Sequence, residues 1–286
     1  MSSIVSAVDL KIGYSPSTIL ANIDNLQINE GEIISIIGES GIGKTTFLKN
    51  IAHLMKPISG KLLVFNSSSH PQRGSIGYIP QKLGLINHET VYFNVLEGAV
   101  CNQSIFRSIT GFHEEKVVDA VKDSITLMDL SHKIDEPIKY LSGGQQRRVA
   151  IARTMAQGPK LILADEFLSE LDDKTANNVW NIMEEYVKVN KITLIIVEHN
   201  IKRAKLANRC FKLEKSADYF SEYAGISFFY NKQIENLRTD TLDKETEQHL
   251  QSSFVRYNDT QDKHRKRTTW RGLLPLLEEA LTKNQK

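Results

Sequence analysis

The chain has 286 residues, a formal net charge of +2, and 41% hydrophobic and 24% charged residues. That is ordinary globular composition, with room for one large domain or one domain and an appendage. The near-neutral balance argues against a chain-wide basic field for nucleic acid, and no run reaches the roughly 18 apolar residues of a membrane-spanning helix. Any membrane role must therefore run through a partner. Cys101 and Cys210 sit far apart with no metal-type spacing and read as free thiols of a reducing compartment. The opening "MSSIVSAVDLKIGY" lacks a basic segment followed by an apolar run, so no signal peptide is expected.

In chain order, "IVSAVDLKIGY" and "ILANIDNLQI" read as short strands with turns, antiparallel to one another. "EIISIIG" (32–38) is near-continuous apolar, the pattern of a parallel strand buried on both faces. "GESGIGKTT" (38–46) follows it and opens the helical pattern "TTFLKNIAHLM". Residues 85–135 predict a mainly helical insertion, carried by "VYFNVLEGAV" and "EEKVVDAVKDSITLMDL". "YLSGGQQRRVAIAR" (140–153) comes next, with no acid, nucleophile or metal-ligand cluster in it. "KLILAD" (160–165) and "ITLIIVE" (192–198) are two more buried strands. Between them, Val179, Ile182, Met183 and Tyr186 fall at helical spacing over 174–189. Strand, helix, strand implies an α/β fold with a parallel sheet. Beyond residue 213 the chain turns polar, no strand ending in a short glycine turn is expected, and the last stretch is "HRKRTTWRGLLPLLEEALTKNQK". The expected division is 1–213 as one domain and 214–286 as a C-terminal extension.

"GESGIGKTT" satisfies G-x-x-x-x-G-K-[ST] between a strand and a helix, the context that gives the motif its meaning. Gly38, Gly41 and Gly43 allow a tight turn that presents backbone N–H groups, and these join the helix N-terminus in binding phosphate oxygens. Lys44 supplies charge to the β/γ-phosphates and Thr45 a hydroxyl for Mg²⁺. Glu39 is an odd residue for such a loop, and its side chain must point away from the phosphates. "LILADEF" (161–167) ends a strand in two adjacent acids. Strand neighbours point oppositely, so Asp165 is expected to hold the Mg²⁺ shell while Glu166 acts as general base on water.

These motifs resemble those of the ATP-binding cassette (ABC) ATPases, the motor subunits of ABC transporters. The resemblance covers about residues 4–213 and rests on "GESGIGKTT", "YIPQ" (78–81), "LSGGQQRR" (141–148), "LILADEF", "LSELD" (168–172) and "VEHN" (197–200), in that order. It implies a P-loop NTPase fold with a RecA-like core, an antiparallel β subdomain and an α-helical insertion subdomain at about 85–158. It also implies ATP and Mg²⁺ as cofactors. Ser40 and Thr46 would join the loop's nucleotide contacts, Gln81 would touch Mg²⁺ or the attacking water, and His199 would contact the γ-phosphate. Tyr14 would stack on adenine, unless it is an ordinary strand aromatic. Asp172 would lie across a dimer interface, as a helix N-cap, or as both. Family members work as head-to-tail dimers, here a homodimer or a pair with a second cassette subunit, so Ser142, Gly143, Gly144 and Gln145 would meet the ATP held by a partner's phosphate loop. Three departures stand out: Phe167 where proline is usual, Glu170 where a small residue is common, and Glu198 and Asn200 flanking the histidine.

One cassette without a membrane segment resembles importer subunits that sit on the cytoplasmic face of the membrane, against a separate permease fed by an extracytoplasmic binding protein. "NVLEGAVCNQSIFRSITGF" (94–112) and "QGPKLILADE" resemble the phosphonate-import branch. A phosphonate or related oxyanion is therefore the expected cargo, and nucleic acid is not an expected partner. An ATP-gated regulatory or assembly module and the motor of an export system stand as alternatives. The tail reads either as a docking element for a permease, a second subunit or an anionic membrane, or as a helix packed on its own domain.

Overall fold

The computed structural model describes residues 2–102, 113–215 and 224–231, with side chains described up to residue 213. Its strands form one nine-stranded sheet in the order β4-β1-β2-β9-β8-β3-β7-β6-β5, numbered along the chain. β1 (Ser3–Ser15) pairs antiparallel with β2 (Thr18–Asn29) on one side and β4 (Ser59–Val64) on the other. Val5 and Ala7 face inward, Val8 and Asp9 face solvent, and Leu10 and Ile12 face inward again. Asp9 takes φ +47, and that left-handed residue resets the alternation so that both ends of the strand bury the same face.

The other half is parallel: β8 (Arg209–Lys215), β3 (Ile33–Gly38), β7 (Thr193–Val197), β6 (Leu161–Asp165) and β5 (Ile76–Ile79). Every residue of β6 and β7 is buried, as expected of strands covered on both faces. Leu161, Leu163, Ile195 and Val197 join the core on the β1/β2 side, and Ile162, Ala164, Leu194 and Ile196 the core on the helical side. The carboxyl ends of β3, β6 and β7 thus deliver Gly38, Asp165 and Val197 to one edge, where ligands of open α/β sheets bind.

The sheet continues past the expected boundary at residue 213. β9 (Ala224–Asn231) pairs antiparallel with β8 and parallel with β2, joining the two halves of the sheet. The chain divides at Lys232, between Met1–Lys232 and Gln233–Lys286. "AGISFFYN" carries a β-branched residue and three consecutive aromatics, a strand signal outweighed in the sequence by its polar surroundings. The basic stretch at 264–267, the final helix expected after it, and residues 103–112 of the phosphonate-like run lie outside the described residues.

The helical insertion holds α2 (Val91–Ala99) and α3 (Glu115–Leu127), packed on α4 (Gly143–Gln157). A Cβ on Gly98 would lie 2.2 Å from the Arg153 carbonyl oxygen, so only glycine lets α2 approach α4 this closely. α5 (Asp173–Val189) buries Val179, Trp180, Met183 and Val187, while Ile182 and Tyr186 pack at the margin of the same core. Phe167, one of the unusual residues, is fully buried, with its ring 6.4 Å from that of Trp180.

Candidate nucleotide site

The loop from Gly38 to Gly43 joins β3 to α1 (Lys44–Ile51). Gly41 and Gly43 take φ +79 and +111, angles that favour glycine. A Cβ on Gly43 would stand 3.1 Å from Leu20 Cβ and 3.5 Å from Ile12 Cδ1, so the loop rests on β1 and β2. α1 has no side-chain cap and no acid in its first turn, which leaves its leading N–H groups to an anion. Lys44 Nζ donates to the carbonyls of Gly38 (2.8 Å) and Glu39 (2.7 Å), folding back over the loop. Burial lowers the Lys44 pKa, against the pull of Glu166 and Asp165. Glu39, Ser40 and Gly41 are exposed, Thr45 is half-buried and Thr46 buried.

Asp165 ends β6 at 1% exposure, and neither of its carboxylate oxygens finds a hydrogen-bond partner. Burial pushes its pKa up and Glu166 adds to the push, while the Thr45 hydroxyl, Lys44 and Lys49 oppose it. The Tyr78 hydroxyl is also buried without a partner, and burial together with the Asp165 charge pushes it up to about 12. An orphaned, buried carboxylate beside a threonine hydroxyl fits a hard cation such as Mg²⁺, which takes oxygen ligands and keeps several waters. Among the described residues no group of three or more His, Cys, Asp or Glu side chains makes an all-protein metal centre.

Glu166 lies just past the strand and takes φ +53. Its divergence from Asp165 therefore comes from a left-handed turn rather than from strand alternation. Such backbone persists where its surroundings hold it. The Glu166 N–H donates to the Val197 carbonyl (3.1 Å), and its own carbonyl accepts from the Ser169 N–H (3.0 Å) and Arg147 Nη1 (3.1 Å). The side chain is engaged too: Gln81 Nε2 donates to Oε2 at 3.1 Å, and His199 Nε2 lies 2.7 Å from Oε1. Three residues from separate stretches of the chain thus meet on one carboxylate.

Ser142, Gly143, Gly144 and Gln145 stand differently. Ser142 caps α4: its hydroxyl accepts from the Gln145 N–H (3.3 Å), and the Gln145 side chain accepts from the Ser142 N–H (2.9 Å). This is a capping box, and S-x-x-Q is its sequence signature. Ser142 and Gly143 are exposed. Among the described residues none of the four hydrogen-bonds to the phosphate loop, Gln81, Glu166 or His199. Asp172 caps α5, accepting from the Thr175 N–H at 3.0 Å, and these bonds to Thr175 lower its pKa. Tyr14 is 70% exposed on β1, two residues beyond the Ile12 that touches Gly43.

Two residues escaped the sequence reading. Arg147 is 1% exposed and clamps the Glu166 carbonyl, yet in sequence it is one of two adjacent arginines on a polar helix face. Glu198 is buried beside His199, with Oε1 unpartnered; burial pushes it up to about 7, against Arg203. An acid directly after an apolar strand was its only signal.

Comparison with known proteins agrees with this geometry. The sequence model described as "ABC transporter" matches residues 21–169. A lipoprotein-releasing system ATP-binding protein LolD from Rickettsia bellii is 36% identical over 197 residues, 68% of this chain and 86% of that protein. A phosphonates import ATP-binding protein PhnC 3 from Halalkalibacterium halodurans is 35% identical over 188 residues, 63% and 73% of the two chains. Among solved structures, a dimeric ATP-binding cassette in a post-hydrolysis state with ADP and phosphate superposes with a TM-score of 0.66 at 26% identity. That match covers 80% of this chain and 98% of the other.

Proposed function

Because the chain belongs to the ABC transporter family and is an ATP-hydrolysing subunit of it, we propose that it powers import of a phosphonate or related oxyanion through a separate permease. The phosphate loop and Lys44 hold the β- and γ-phosphates of ATP, Tyr14 stacks on the adenine, and Ser40, Thr45 and Thr46 complete the seat. Thr45, Asp165 and Gln81 are the residues that would hold Mg²⁺, which supplies charge neutralisation at the transferring phosphate. Glu166 accepts the proton of the attacking water as the new phosphorus–oxygen bond forms and the bond to ADP breaks. His199 and Gln81 each take one position on a Glu166 oxygen, and the remaining lone pairs are open to that water. The Glu166 carboxylate held by Gln81 and His199 is the observation that carries this reading.

The second half of the site comes from another copy. Ser142, Gly143, Gly144 and Gln145 open α4 toward solvent, where their N–H groups and the helix dipole suit a γ-phosphate. A homodimer on the cytoplasmic face of the membrane, docked on its permease and served by an extracytoplasmic binding protein, follows from this reading. The cassette then spans residues 1–232, and 233–286 form an extension.

The phosphonate cargo draws support from relatives named for phosphonates import, which are 35–38% identical. The LolD relative favours a release or export system as the second reading. Affinity purification of the native complex separates the two: a permease with a binding protein supports import, and a permease without one overturns it.

A further inference from the structure

Glu170 stands where a small residue is common in the family, in the turn between Glu166 and α5. It takes φ +65 and its side chain is 67% exposed. Its Oε2 lies 3.5 Å from Nη2 of the buried Arg147, and 3.7 Å from where a Cβ on Gly143 would be. The carboxylate therefore lies beside the first turn of α4 without a hydrogen bond to its N–H groups, within range of the positive end of the helix dipole. Arg147 is held in place by burial and by its other Nη, which donates to the Glu166 carbonyl. One exposed anion and one buried cation thus meet beside Ser142–Gln145.

We propose that Glu170 is a tethered anion standing beside the seat that the partner's γ-phosphate takes on α4, so that its charge sets the ATP concentration at which two chains close. This rests on the dimer reading of Ser142–Gln145. A phosphate arriving at Gly143 meets a like charge and must displace it, and the exposed side chain gives way by rotating into solvent. Arg147 then loses its carboxylate and gains the phosphate as its nearest anion. Closing is an exchange of one anion for another, and the resident one makes it harder.

The test uses the full chain carrying Glu166→Gln, which blocks turnover and lets ATP-bound dimers accumulate. Adding Glu170→Gln keeps the shape and removes the charge. Sedimentation across an ATP titration should show half-maximal dimerisation at about 3- to 10-fold lower ATP. ATP affinity of the dilute monomer should not change, because Glu170 makes no contact with the phosphate loop. Glu170→Ala should shift the same way, and unchanged melting temperatures would set folding defects aside. An equal or higher ATP requirement in both variants overturns the proposal. Ser142→Arg in the same background separates the two failures. If it abolishes dimerisation while the Glu170 variants shift nothing, the Glu170 proposal alone fails. If it leaves dimerisation intact, the dimer reading fails with it.

Discussion

The acids at the end of β6 and the opening of α4 lie one arginine apart, yet they are built in opposite ways. Around Glu166 each reactive group is already held within the chain: Gln81 and His199 on the carboxylate, Val197, Ser169 and Arg147 on the backbone. At Ser142–Gln145 the side chains satisfy only each other, and Ser142 and Gly143 face solvent. In the proposed function one region is a pre-organised reaction centre, where fixed dipoles reduce the reorganisation needed in the transition state. The other is a surface whose chemistry requires a ligand from outside. Under the proposed function, the contrast means that the chain holds half of two sites rather than all of one.

Changes on either side should separate these roles, and the largest effect belongs to the reaction centre. Glu166→Gln should cut turnover at least about 100-fold in a phosphate-release assay while ATP binding persists. Ser142→Arg should also remove hydrolysis, yet equilibrium ATP binding to the monomer should hold; equal loss of binding would place Ser142 in its own chain's site. Arg147→Met attacks the link between the regions. It should lower kcat about 10- to 100-fold with little change in KM, because the strained Glu166 loses a clamp. Gly98→Ala disturbs only the α2–α4 packing. It should cost about 1–3 kcal/mol in denaturant unfolding and leave kcat per folded molecule unchanged.

The smallest effect depends on pH. Glu198 titrates at about 7 in the folded chain against an ordinary value of 4.5. The native state therefore holds that proton more tightly than the unfolded state. The associated stability is complete below about 4.5 and is lost as the pH rises through about 7. Glu198→Gln, neutral throughout, should match the parent at about pH 4.5 and exceed it by about 1–3 kcal/mol above about pH 8. Melting curves at the two pH values check this, and a gain confined to the acid side would reverse the sign.

Much of this was legible in the sequence, for physical reasons that differ by element. "EIISIIG", "LILAD" and "TLIIV" announced a parallel core because strands covered on both faces admit little but apolar residues. The phosphate loop could be read because backbone geometry demands glycine at fixed offsets, and Gly41 and Gly43 indeed take positive φ. β9 was missed because its place in the sheet is set by β2 and β8, far away in sequence, and not by its own pattern. Arg147 was missed for a related reason. Burial of a charged residue depends on which tertiary groups meet it, here the carbonyl of a strained residue 19 positions later. The role of Ser142 was read from its family resemblance, but its capping box stood in S-x-x-Q all along.

The central claim is that the two regions complete each other only across two chains. Sedimentation of the Glu166→Gln chain with and without saturating ATP and Mg²⁺ tests it most directly. The expected result is a monomer without ATP, a dimer with it, and a monomer again when Ser142→Arg is added. A monomer at saturating ATP, or a dimer indifferent to Ser142→Arg, would contradict it.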